Sequence, residues 1–245
     1  MIPNNIFQIY HDKNIVPDFV KEHIKNLNPN YNYFFFNFNE IKNIILNNFE
    51  KKLAEKINKT IDLLPRYCHK SDLARYCLLY LFGGIYIDCD LKPLVKFDDF
   101  LKNIENITLF SSFGKGASTF DCNTKMGIKK IHKMMANGIF LCTKNNPFVK
   151  ELIIYCLNNP IDSHPNNRGL NVIHLYNFIE NKCKSHGIKL EPYKILSLDD
   201  EKVYLINQDE SDKYGPNCFI NEDFNTLINP NDKNYNFKRQ TSSFI

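Results

Sequence analysis

The stretch from Lys70 to Asp90, KSDLARYCLLYLFGGIYIDCD, restricts what this chain can fold into more than any other. Leu73, Tyr76, Cys77 and Tyr80 recur at i, i+3, i+4 and i+7, which predicts a helix with one face against a core. Gly83-Gly84 stops that helix, because glycine takes the backbone conformation that helix ends need. Ile85-Tyr86-Ile87 then reads as a short strand. Side chains alternate along a strand, so Tyr86, Asp88 and Asp90 share one side while Ile85 and Ile87 share the other. Asp72 and Arg75, three residues apart, are neighbours on a helix flank. That flank lies opposite the apolar stripe, on the side that reaches the exit of the strand. Three carboxylates and a guanidinium are therefore expected at one sheet edge.

The rest of the chain predicts an α/β frame for that edge. Residues 6–10 (IFQIY) and 31–38 (YNYFFFNF) read as strands, with Phe34, Phe35 and Phe36 in the core. Residues 18–27, with Asp18 as N-cap, and residues 41–61 read as helices. Alternation of strands and helices predicts a sheet with crossover helices. Further on, 107–112, 138–142 and 203–206 are expected strands, and 148–157 and 171–183 expected helices. Residues 94–101 read as loop or helix, 112–131 as a loop, and 207–245 as polar and irregular.

Composition narrows the function classes. With 245 residues, 43% of them hydrophobic, one globular domain over 1–245 is expected. The net charge of +4 is spread without a basic block, so no nucleic-acid partner is predicted. The eight cysteines contain no CxxC pair, which excludes zinc-ribbon and thioredoxin chemistry and suits free thiols in a reducing compartment. The histidines show no HxxxH or HExxH spacing. No apolar run approaches the ~18 residues of a membrane span, and the opening MIPNNIFQIYHDK lacks the pattern of a leader peptide. A cytoplasmic chain without a transmembrane segment is the expectation; nothing in the sequence fixes an oligomeric state.

Two carboxylates at i, i+2 at the C-terminal end of a strand suit a hard divalent cation, which keeps several waters and bridges to phosphate oxygens. Ligands in open α/β sheets also gather at the carboxyl ends of strands. A lone DxD is a weak signal. A helix with Asp72 and Arg75, a double glycine, a strand and then DxD, all within 70–90, is a stronger one. Cys89, between the two aspartates, is expected to point away from the metal and to pack.

The stretch SDLARYCLLYLFGGIYIDCD resembles the DxD signature of glycosyltransferase family 32, the Och1-like sugar transferases, and the matching part of the clostridial glucosylating toxins. PNNIFQIY at 3–10 is similar to that family's IPKIIHQIW opening, NPNYNYFFFN at 28–37 to its NPDYEYKLWD, and NGIFLCTKNNP at 137–147 to its asparagine, strand and proline-ended turn. The resemblance implies a GT-A fold, a single Rossmann-like mixed sheet flanked by helices. It implies an Mn2+ or Mg2+ ion and a nucleotide-sugar donor, UDP- or GDP-linked. The sugar would pass, with retention, to a glycan, protein or lipid hydroxyl. Asp72, Arg75 and Asp88 become the candidate catalytic residues, with Asp88 and Asp90 at the metal. Ile9, Tyr10, Asn37, Ser71, Asp72, Arg75, Tyr86, Asp88, Asn137 and Ser243 become donor-binding candidates, with Tyr10 on the base and Asp72 and Arg75 on the sugar hydroxyls. The tail NFKRQTSSFI departs from the family, since Ser243-Phe244 stands for its Ser-Trp pair and Lys238 or Arg239 for its His. That departure motivates an alternative, a catalytically inactive nucleotide-sugar-binding protein. A haloacid-dehalogenase-type phosphatase is disfavoured, because its DxD would stand near the start of the chain.

Overall fold

The computed structural model describes residues 1–89, 91–93, 96–102, 108–114, 119–123, 129–133, 135, 137–159, 170–191, 195–209, 218–221 and 226–228. The chain opens with β1 (Asn5–Ile9), α1 (Asp18–Leu27) and β2 (Asn32–Phe36). Three helices, α2 (Phe38–Asn48), α3 (Lys51–Leu63) and α4 (Tyr67–Phe82), then lead to β3 (Gly84–Ile87). There follow α5 (Phe97–Lys102), β4 (Leu109–Gly114), β5 (Thr119–Asn123), β6 (Lys129–Lys133), β7 (Ile139–Cys142), α6 (Pro147–Asn158) and α7 (Leu170–Ser185). The last described elements are β8 (Ile195–Leu198), β9 (Glu201–Asp209), β10 (Cys218–Asn221) and β11 (Thr226–Ile228). Among the described residues, nine strands form one mixed sheet in the order β11-β10-β9-β4-β7-β3-β1-β2, with β8 beside β9. The expected α/β class with a mixed sheet is what the chain forms. None of the described helices is long and apolar enough to cross a membrane.

The topology places a crevice at β1. This strand pairs in parallel with β2 on one side and β3 on the other. The connection to β2 runs through α1, on the face where Ile6, Ile24, Ile85 and Ile87 pack together. The connection from β2 to β3 runs through α2–α4, on the face lined by Phe7, Ile9 and Tyr86. Crossovers that leave a strand on opposite faces open a crevice beyond its carboxyl end, the usual ligand position in such sheets. Gly83 closes α4 with its N–H on the Leu79 carbonyl at 2.8 Å. The chain then turns directly into β3, so the first turns of α4 lie beside that crevice.

Several expectations need correction. Residues 41–61 are not one helix: α2 ends at the extended Phe49, and the Glu50 carboxylate caps α3 by accepting from the N–H groups of Lys52 and Leu53. The 112–131 stretch is not a plain loop, since it contributes the end of β4 and the β5–β6 ribbon. Beyond 207, β10 and β11 extend the sheet, and β8 lies where no element was expected. Asp18 is the first helical residue of α1, with Pro17 at the N-cap. The Phe34–Phe36 run is an edge strand only partly in the core: Phe34 is 38% exposed although it stacks on Phe7, while Phe35 and Phe36 are half-buried and pack against core clusters. Among the described residues β2 has no neighbour on its outer side, and Phe34 stays at the surface.

Asn37, a donor-binding candidate, is the N-cap of α2. Its side chain accepts from the Glu40 N–H at 3.0 Å, and the Glu40 carboxylate accepts from the Asn37 N–H at 2.8 Å. Such a capping box satisfies two otherwise orphaned helix donors. Asn37→Ala is expected to lower the unfolding free energy by about 1 kcal/mol in a urea titration. A melt indistinguishable from wild type would mean that the box contributes nothing.

Candidate functional site

Three segments meet at the carboxyl end of β3: the first turns of α4, the strand exit at Asp88, and the entry of β7 at Asn137–Gly138. The α4 segment is buried on nearly all sides, because α2, α3, α6 and α7 pack around it. Asp72 and Arg75 are 5% and 3% exposed, so they do not sit on an open flank opposite an apolar stripe. A charge buried this far needs partners, and each has them. The Arg75 guanidinium donates from Nε to the Ser71 carbonyl at 3.2 Å. Its Nη1 donates to the Asn137 carbonyl at 2.5 Å and to Asn137 Oδ1 at 3.2 Å. Its Nη2 lies 3.0 Å from Asp72 Oδ1 and 3.3 Å from Asp88 Oδ1. The guanidinium carbon lies over the Tyr86 ring, 4.2 Å from its centre.

Asn137 completes the inner layer. Its Nδ2 donates to Asp72 Oδ1 at 3.1 Å and to the Tyr76 hydroxyl at 2.8 Å. Tyr86 donates its hydroxyl to Asp88 Oδ1 at 2.6 Å, which confirms that Tyr86 and Asp88 share a side. Burial alone would pull the Arg75 pKa down. The neighbouring Asp88, Tyr86, Asp72 and Tyr76 oxygens outweigh it and hold Arg75 above its ordinary value. Burial also pushes the Tyr76 and Tyr86 phenols well up. The layer is therefore one fixed cation, two carboxylates and two neutral phenols.

Asp88 is where this layer meets solvent: its side chain is 27% exposed, against 8% for Asp72 and 3% for Arg75. The Asp88 N–H donates to the Gly138 carbonyl at 2.7 Å, and its own carbonyl accepts from the Leu91 N–H at 3.1 Å. A methyl group at Gly138 would stand 2.9 Å from Leu91 Cδ1 and 3.0 Å from Asp88 Oδ2, so the glycine lets both side chains close over it. A partly exposed carboxylate at the end of a strand fits a hard divalent cation. Asp90 and Ser243 lie outside the described residues. Among the described residues alone, no group of three or more His, Cys, Asp or Glu gathers as a metal cluster. Cys89 is 2% exposed and directs its thiol to the Ile9 carbonyl, packing as expected.

The carboxyl end of β1 supplies an aromatic ledge next to Asp88. Ile9 is buried in the main core. Tyr10, expected to meet a base, is only 9% exposed and packs with Val16, Val20 and Cys89. The His11 ring lies 4.6 Å from that of Tyr10, tilted by 32°, and stacks almost parallel on Tyr67 at 4.3 Å. Phe38 continues the ladder beside Tyr67 at 5.7 Å, and Tyr67 itself is 48% exposed. Burial lowers the His11 pKa, with Asp12 opposing it, so the ring is neutral at pH 7. Ser71, half-buried, touches Arg75 through its carbonyl. Of the donor-binding candidates, Asp72, Arg75, Tyr86, Asp88 and Asn137 converge in one network, Ser71 borders it, and Ile9 and Tyr10 stand at the neighbouring strand end. Tyr67, Tyr76 and Gly138 were not singled out by sequence reasoning. Tyr76 sat within the apolar stripe, and only its hydroxyl partner sets it apart.

Residues 18–107 match the family described as glycosyltransferase sugar-binding region containing DXD motif. An uncharacterized glycosyltransferase of Acanthamoeba polyphaga mimivirus is 36% identical over 105 residues, which are 41% of this chain and 40% of that protein. The chain thus aligns with about two-fifths of the length of that curated relative. Among solved structures, the PaToxG glycosyltransferase is similar at 17% identity, over 75% of this chain and 72% of that one, with a TM-score of 0.46. The UDP-bound glycosyltransferase domain from the YGT toxin is similar at 11% identity, over 77% of this chain and 68% of that one, with a TM-score of 0.38. Asp72, Arg75, Tyr86 and Asp88 all fall within the matched residues 18–107.

Proposed function

We propose that this chain is a glycosyltransferase formed as one GT-A domain over 1–245. It moves a sugar from a UDP- or GDP-sugar to a hydroxyl of a glycan, protein or lipid, with retention and with Mn2+ or Mg2+. The observation that carries this reading is Asp88: a partly exposed carboxylate at the crevice beyond β1 and β3, held by Tyr86 and Arg75 inside the matched region. Asp88, with Asp90, would hold the ion, which when bound would offset the charge of the leaving diphosphate. The chain's own part is orientation. Buried Asp72 and Asn137 wall the side of the crevice facing α4 and fix where a sugar ring can lie, and positioning of this kind supplies much of a transfer rate. The ledge at His11 and Tyr67 offers a flat apolar face to a nucleobase, with neutral His11 extending it.

A panel of UDP- and GDP-sugars with Mn2+ tests the reading, scored by rise in melting temperature and by release of nucleoside diphosphate. Stabilisation and release by at least one donor are expected, with the product anomer matching the donor's. Silence across the panel defeats the proposal; binding without release points to the inactive binder instead, and an inverted product removes retention. Tyr67→Ala is expected to weaken nucleoside-diphosphate binding about tenfold, the loss of one base stack. Unchanged affinity in calorimetry would place the base elsewhere.

A further inference from the structure

We infer that Gln8 is a positioning residue for the aspartates at the end of β3: from the opposite face of the sheet it holds the backbone at Asp88, without meeting the ligand itself. The inference rests on the donor-site reading above. Side chains alternate along β1, so Gln8 shares a face with Ile6. Ile6 packs there in an apolar cluster with Ile24, Ile85, Ile87 and Ile139. Gln8 is nonetheless fully buried, at 0% exposure. A buried amide costs stability unless it is hydrogen-bonded, and Gln8 is bonded at both ends.

Its partners define what it does. Gln8 Nε2 donates to the Asp88 carbonyl at 3.4 Å, and the Tyr33 hydroxyl donates to Gln8 Oε1 at 2.6 Å. A carbonyl only accepts, so the amide nitrogen must face Asp88. The amide oxygen then faces Tyr33, whose short bond keeps the amide from turning over. The same Asp88 carbonyl accepts from the Leu91 N–H at 3.1 Å, and the Asp88 N–H donates to the Gly138 carbonyl at 2.7 Å. Both backbone groups of Asp88 are thus tied, and Gln8 supplies one of the ties from its side chain. The step from Asp88 to Leu91 carries Asp90 in its sequence. Cys89, in the same step, directs its thiol to the carbonyl of Ile9, the residue after Gln8. The end of β1 therefore grips this segment at two points. A bond of 3.4 Å is long for an N–H donor. Its loss is expected to act on the direction of the Asp88 carbonyl more than on the stability of the sheet. Groups that meet a cation must be held within about 0.5 Å, and a carbonyl free to swing moves the carboxylates on either side of it.

The test compares wild type with Gln8→Leu and Tyr33→Phe. Mn2+ affinity is read by electron paramagnetic resonance in the presence of UDP or GDP, turnover with the donor that the panel selects, and amide hydrogen exchange by NMR. Gln8→Leu is expected to weaken Mn2+ binding about tenfold and to lower kcat about tenfold, the scale of one lost hydrogen bond. The Leu91 amide should exchange about tenfold faster, while the amides of the β3–β7 ladder stay within about twofold of wild type. Tyr33→Phe frees the amide to turn but keeps Gln8 in place, so the same changes are expected at about threefold. An unchanged Leu91 amide in Gln8→Leu, or Mn2+ affinity within about twofold of wild type, overturns the assignment. So does faster exchange spread evenly over β1, β3 and β7, which marks a general loss of stability. If Gln8→Leu does not fold, Tyr33→Phe decides, and unchanged Mn2+ affinity and exchange there overturn the proposal. A wild-type protein that binds no Mn2+ with either nucleotide sinks the donor-site reading. The hold of Gln8 on the segment is then decided by the Leu91 amide alone.

Discussion

Asp88→Asn is expected to cut sugar transfer by about a thousandfold, the upper range for removing one preorganised charged group from a reaction centre. Asparagine is nearly isosteric and keeps an oxygen that can accept from the Tyr86 hydroxyl beside Arg75 Nη2, the two neighbours of Asp88 Oδ1. What it loses is the anion, and with it the second oxygen beside Gly138, which becomes an amide donor. A divalent cation would then face an N–H2 group instead of a carboxylate. The protein should stay folded, because Asp88 is the exposed member of the network and Arg75 retains Asp72 as its buried counter-charge at 3.0 Å. Release of nucleoside diphosphate at saturating donor, read beside the melting temperature, checks both halves. Turnover within about tenfold of wild type, in a folded protein, would mean that Asp88 is not at the reaction centre.

Asp72, Arg75, Tyr86 and Asp88 were legible in the sequence because one short segment carries them all. Local rules cover such a segment: a helical period, a glycine stop, and strand alternation that puts Tyr86 and Asp88 on one side. What those rules could not supply was burial. Read alone, Asp72 and Arg75 are a surface pair, because helical periodicity cannot know that α2, α3, α6 and α7 will enclose α4. Tyr76 was invisible for the same reason. It occupies the apolar stripe as any core aromatic would, and its hydroxyl matters only because Asn137, 61 residues away, arrives opposite it. The Phe34–Phe36 run misled in the other direction: hydrophobicity implies burial, but at the sheet edge Phe34 stays at the surface. The strands beyond 207 were missed because they are only four and three residues long and join the sheet at the edge of β9 rather than through a pattern of their own.

Gly84→Ala is expected to be the most damaging single-methyl change to the fold. A Cβ there would stand 2.4 Å from the Asn5 carbonyl oxygen and 2.9 Å from Asn5 Cβ, at a φ of +118°. The obstacle is backbone, so no side-chain rotation relieves it. β1 and β3 must separate next to the point where Ile6 pairs with Ile85. Backbone strain of about 1–3 kcal/mol and overpacking of about 1–3 kcal/mol then add, against a total stability of roughly 5–15 kcal/mol. A fall in melting temperature of about 10 °C follows for a chain of this size. Gly187 separates the two contributions, since its φ is +65° but nothing lies within 4 Å of its Cβ position. Gly187→Ala should cost only the conformational part, about 1 kcal/mol. Equal melting temperatures for the two variants would show that contact between β1 and β3 at Gly84 is not what the chain depends on. The same displacement would carry Asp88 away from Arg75, because only the short β3 separates Gly84 from Asp88. Any Gly84→Ala protein that does fold is therefore expected to lose transfer activity as well, and full activity at a lowered melting temperature would break that link between the strand junction and the site.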